Sequence, residues 1–154
     1  MTRLRDVVRN FFIREDGTQM IEFAIVFPVL LLLFAGTTEL GRLFYQYTTM
    51  AKATRAAARY LSTVPNVTAS TDAAKNIVLC GRAGSCTGQT KLVSDLLATN
   101  IVVTPPTAGD PVKYVTVEVT GYNYRFLVFN LNTMTGRNFN IPLSPSTKMR
   151  YMVN

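Results

Sequence analysis

The sequence predicts an α+β protein: a long N-terminal helix, transmembrane and then amphipathic, packed on a small antiparallel sheet. Three observations carry that prediction. Residues 18–38, "TQMIEFAIVFPVLLLLFAGTT", form an apolar run in which Glu22 is the one ionisable group. Residues 39–63 repeat apolar side chains at helical spacing. "KYVTVEVTGY", in the C-terminal half, alternates with a period of two, as a half-buried strand does.

The apolar run is long enough to matter. As a helix it reaches about 31 Å, close to the hydrocarbon thickness of a bilayer. Pro28 lies inside it, which a membrane helix tolerates with at most a local kink. A buried core helix would need a polar face, and nothing breaks this run to provide one. A cleaved signal peptide fits less well. A cut after Ala35 or Gly36 places Leu33 or Phe34 where a small residue is required. Charge alone leaves the orientation open, because Arg3, Arg5, Arg9 and Arg14 before the run are balanced by Arg42, Lys52, Arg55 and Arg59 after it.

The segment 39–63 places Leu40, Leu43, Phe44, Tyr47, Met50, Ala51, Thr54, Ala57, Ala58 and Leu61 on one stripe. Glu39, Arg42, Gln46, Lys52, Arg55 and Arg59 fall opposite. Its alanines favour helix, and Pro65 with Asn66 ends it. Continued from the span, one helix covers residues 18–63; Gly36 or Gly41 is where it would break if it breaks.

The remainder reads as a compact α+β unit. "STDAAKNIVLCG" has a helix start at Ser70–Asp72 and a stop at Gly81. "QTKLVSDLLATN" (89–100) repeats that logic with Leu92, Val93, Leu96 and Leu97. Strands are expected at 101–104 up to Pro105, through 113–122, in "YRFLVFNL" (124–131) after a turn at "TGYN", and in "TKMRYMVN" (147–154). The sheet's apolar face needs a cover, and the 39–63 stripe is the expected one.

Charge and chemistry narrow the function. The chain has 16 basic and 9 acidic residues, a net charge of +7. The basic residues of the C-terminal half are scattered among acids, so no nucleic-acid surface is visible. Attraction to anionic headgroups accounts for the excess equally well. Cys80 and Cys86 sit in "CGRAGSC", where small residues allow a tight loop. A disulfide in an oxidising compartment is the expectation, with two separate thiols as the alternative. Without histidine, two thiols do not make a common zinc site. No phosphate loop, nucleophile motif or metal-ligand cluster occurs. A catalytic site would have to be gathered from distant carboxylates such as Asp95, Asp110 and Glu118. An interaction or structural role, with no cofactor and no enzymatic activity, is therefore expected.

A charged leader, Gly17, four residues, then Glu22 and Phe23 at the head of the apolar run resemble a type IV prepilin junction. Over residues 15–62 the pattern is similar to the TadE-type minor pseudopilins of the tight-adherence (Tad) pilus; beyond that the likeness is architectural. The resemblance implies a pilin-like fold divided into a leader (1–17), a transmembrane helix (18–38), an amphipathic continuation (39–64) and an extracytoplasmic α+β domain (65–154). It implies cleavage between Gly17 and Thr18 by a prepilin peptidase, with the N-terminus cytoplasmic in a bacterial inner membrane. Other pilins or pseudopilins and the pilus assembly platform are the implied partners. Glu22 and Phe23 are the implied assembly residues, Glu22 pairing with the freed amine of a neighbouring subunit.

Two departures from the pattern matter. Thr18 stands where many type IV pilins carry a methylated Phe, and Phe23 stands where the major Tad pilin has Tyr. The major Tad pilin is also shorter, so a minor subunit is implied. The alternative is a permanently anchored envelope protein whose extracytoplasmic domain binds a ligand or another protein, with Glu22 incidental.

Overall fold

The computed structural model describes residues 15–107, 109, 112–127, 136 and 140–153. The chain divides into two compact units, one ending at Leu40 and the other starting at Gly41.

Helix α1 runs Glu15–Thr63 without interruption at Gly36 or Gly41, and it contains Pro28. In the first unit its large apolar side chains from Met20 to Phe34 are all exposed. Among the described residues this is the one helix long and apolar enough to cross a membrane.

Among the described residues, the second unit combines the C-terminal part of α1, helix α2 (Thr71–Cys80) and five strands: β1 (Ile101–Thr104), β2 (Tyr114–Val119), β3 (Asn123–Tyr124), β4 (Ile141–Pro142) and β5 (Ser146–Arg150). The strands β1, β2 and β5 form an antiparallel sheet in that order, and β3 pairs with β4. The register sets Ile101 against Val119, Val103 against Val117 and Val117 against Thr147. Side chains two apart on a strand share a face, so Val115, Val117 and Val119 are fully buried while Tyr114 is exposed and Thr116 and Glu118 are half-buried.

The expected cover for that face is present. Met50, Ala53, Ala57, Ala58 and Leu61 of α1 join the three valines in one core, together with Ala74, Ile77 and Val78 of α2. Thr54, also fully buried, is matched by Thr147 of β5 at an oxygen–oxygen distance of 3.2 Å. Burying one Leu or Val side chain here is worth about 1.5–3 kcal/mol. The chain end is tied back as well: the Tyr151 hydroxyl donates to the Val64 carbonyl at 2.8 Å, and the Met152 amide to the Ser62 carbonyl at 3.0 Å.

α2 ends as expected. Gly81 adopts the left-handed conformation at φ 79°, and its amide reaches the Ile77 carbonyl. A side chain there would cost strain.

Three expectations are corrected. Residues 89–100 do not form a second helix; they make turns and a short 3₁₀ segment, Ala98–Asn100. Only Val93 and Leu96 of the four apolar residues are buried. The Leu92 amide donates to the Leu79 carbonyl and Lys91 Nζ to the Leu96 carbonyl, so tertiary partners replace the helical ladder. The strand expected at 124–131 is also not formed as a unit. β3 stops at Tyr124, Arg125–Leu127 lie outside any strand, and 128–131 lie outside the described residues. Its partner β4 contains Pro142, which has no amide to extend the ladder. The third correction concerns the stripe. Its C-terminal half packs as expected, but Leu40, Phe44 and Tyr47 are exposed, whereas Arg42 and Gln46, expected to face outward, are half-buried.

Candidate functional site

The residues expected to act in processing and assembly all lie on α1. Gly17 is in helical backbone two residues after the helix begins at Glu15. Thr18 and Glu22 are four apart, hence neighbours on one helix face, and both are exposed. The Glu22 carboxylate makes no hydrogen bond or ion pair among the described residues. Phe23, 60% exposed, stacks on Phe27 with ring centroids 5.3 Å apart. An exposed stripe of this kind is stable only against lipid or another apolar surface. Within it, Glu22 is the one ionisable side chain along the run to Thr38.

The cysteines do pair. A disulfide joins Cys80, the last residue of α2, to Cys86 in the following loop, with Cα atoms 6.0 Å apart. It pins the loop that starts at Gly81.

The carboxylates considered for catalysis are used separately. Asp95 faces Arg125 at 3.9 Å, with both side chains well exposed. Glu118 lies on the outer side of β2, opposite Val102 and Ser146. Asp110 lies outside the described residues. No group of three potential metal ligands occurs among the described residues. An open groove of about 280 Å³ is lined by Pro65, Asn66, Thr68, Pro106, Lys113 and Tyr151 among others. Its aromatic hydroxyl is already spent on the Val64 and Pro65 carbonyls.

Sequence reasoning missed one cluster. The Tyr122 hydroxyl donates to Gln46 Oε1 at 3.1 Å, and the Arg42 guanidinium carbon lies 5.8 Å from the Tyr124 ring centre. Tyr124 in turn meets Phe126 edge-on, with centroids 5.4 Å apart. Burial raises the Tyr122 phenol above its ordinary value, Asp95 adds to the rise, and Arg42 and Arg125 oppose it. The available signal was the four-residue spacing of Arg42 and Gln46 together with an aromatic run at 122–126.

The fold and the helix head together define a class: a helix-led α+β protein whose apolar helix opens on a Gly-x4-Glu junction. Residues 17–59 match the family model described as TadE-like protein, so this segment is similar to TadE-like proteins. The match begins at Gly17, the residue that heads the junction, and ends within α1 at Arg59. No curated protein and no solved structure matches the chain.

Proposed function

We propose that this protein is a minor pseudopilin that takes part in the assembly or initiation of a Tad-type adhesive pilus. The observation that carries the reading is a coincidence of position. The TadE-like match starts at Gly17, and Glu22 follows five residues later at the head of the exposed apolar helix. The likeness of this segment to the TadE-like family supports pilus association and a structural role.

In this reading a prepilin peptidase cuts between Gly17 and Thr18 on the cytoplasmic side of the inner membrane. Gly17 stands in helical backbone, so the first turn must unwind to enter an extended cleft. Glycine lowers the cost, being about 1 kcal/mol poorer than alanine in a helix. The cut removes the leader charges from Arg3 to Asp16 and creates an ammonium on Thr18. Residues 18–38 hold the chain in the membrane and the α+β domain lies outside the cytoplasm, where the Cys80–Cys86 disulfide is chemically at home. Glu22, in an apolar setting, gains most from a cation, because an unpaired charge is expensive there. The freed amine of a neighbouring pilin or pseudopilin supplies one, and this pairing sets register when the assembly platform draws subunits from the bilayer.

Mass spectrometry of the protein extracted from membranes of peptidase-containing cells tests the reading. Thr18 is the expected first residue. A chain that still begins at Met1 overturns it in favour of a permanently anchored envelope protein.

A further inference from the structure

The second half of α1 carries two chemistries on one exposed side. Phe44, Tyr45, Thr48, Lys52, Arg55 and Arg59 follow one another in steps of 1, 3, 4, 3 and 4, which keeps them on a single face. Met50, Ala53, Ala57 and Leu61 lie in the core on the other side. Phe44 is 62% exposed and Tyr45 68% exposed. Lys52, Arg55 and Arg59 are exposed, and none of their side chains makes an ion pair or hydrogen bond among the described residues. Between Glu39 and Asp72 the chain has no acidic residue at all.

We infer that this face docks the helix of a different, acidic chain, with apolar side chains level with Phe44–Thr48 and carboxylates level with Lys52–Arg59. The inference rests on the pseudopilin reading and names the chemistry of the partner. Charge selects against a second copy: a parallel copy sets cations against cations, and an antiparallel one sets Arg59 against Phe44. From Gly41 onward the chain has twelve basic and four acidic residues, so self-repulsion extends beyond the face. A nucleic-acid strand fits poorly, because single-strand binding uses a groove that follows the backbone and a helix face is convex. The paired aromatics would also be left uncovered by a polyanion.

The test uses a charge-reversed copy of the full chain, Lys52→Glu/Arg55→Glu/Arg59→Glu, as the acidic partner. Thr48→Cys is placed in both copies, since the native cysteines are already bonded to each other. After mild oxidation in dilute detergent, mixed dimers should exceed either like pair by roughly tenfold, equivalent to about 1.4 kcal/mol. The excess should shrink at 1 M salt, where the Debye length is about 3 Å. A Lys52→Gln/Arg55→Gln/Arg59→Gln copy should fall between, and equal thermal unfolding of all variants checks the fold. A mixed yield no more than twice that of the wild-type pair, which is the ratio random pairing gives, overturns the inference. Binding of an oligothymidylate by wild type, lost on charge reversal and without preferential mixed pairing, also overturns it and assigns the face to nucleic acid. The first residue of the same samples, Thr18 or Met1, bears on processing alone, so the two readings fail separately.

Discussion

The Tyr122 hydroxyl donates a hydrogen bond to Gln46 Oε1 across 76 residues of sequence, at 3.1 Å. It joins the segment after β2 to the helix at a level where the apolar core gives way to Arg42, Gln46 and aromatic rings. A buried phenol without that acceptor would be left unsatisfied.

The phenol also makes stability depend on alkaline pH. Its pKa is raised in the folded protein, mainly by burial. The folded state therefore keeps its proton when the unfolded chain has lost it. Tyr122 contributes its full stabilisation below pH 10.0, the ordinary tyrosine value, and loses it as pH rises from there through the folded pKa. Tyr122→Phe should cost about 1 kcal/mol from the lost bond and flatten the fall in melting temperature above pH 10. Calorimetric scans between pH 8 and 11 check this; an unchanged alkaline slope refutes it.

Leu61 is completely buried between α1 and the rest of the core. Leu61→Ala should destabilise the protein by about 2–5 kcal/mol, the transfer loss plus a cavity. Denaturant unfolding measures it. A cost below 1 kcal/mol would mean that the helix is not the cover of the β1-β2-β5 sheet.

The Cys80–Cys86 bridge closes a short loop, so its entropic contribution is modest, about 2 kcal/mol. The Cys80→Ser/Cys86→Ser chain should fold with a lower melting temperature, because Val78 and Leu79 keep their burial and Leu79 keeps its bond to the Leu92 amide. Reductant should lower the melting temperature of the wild type by the same amount and leave the double variant unmoved.

For Glu22, processing and assembly should separate. Glu22→Gln keeps the size and removes the charge, so Thr18 should still become the first residue while pilus yield falls. Mass spectrometry together with quantification of sheared surface filaments reads both. Normal filament yield would make Glu22 incidental.

Much of this was legible in the sequence. The apolar helix, its uninterrupted course to Thr63, the stop at Gly81 and the alternation of Val115, Val117 and Val119 are local properties. Periods of 3.6 and 2, and glycine at a left-handed position, specify them without reference to distant residues. The spacing Gly17–Glu22 is likewise local, and it stands at the head of the apolar run.

The failures share a cause. Residues 89–100 carry a helical pattern, but their amides and carbonyls found Leu79 and each other in turns. The stripe at 40–47 is apolar in sequence, but apolarity alone does not say which side is covered. Which side of a helix is covered depends on what stands opposite, and opposite Met50–Leu61 that is a sheet of valines, whereas Gln46 meets the hydroxyl of Tyr122. Sequence thus determined the helix to Thr63, the end of α2 at Gly81 and the strand that carries Val115, Val117 and Val119, because hydrogen bonding and periodicity act within a few residues. It did not determine 89–100 or 124–131, whose partners lie elsewhere. Only the tertiary structure decided that Phe44 and Tyr45 stay exposed beside Lys52, Arg55 and Arg59, because a face is left uncovered only once every other element has been placed.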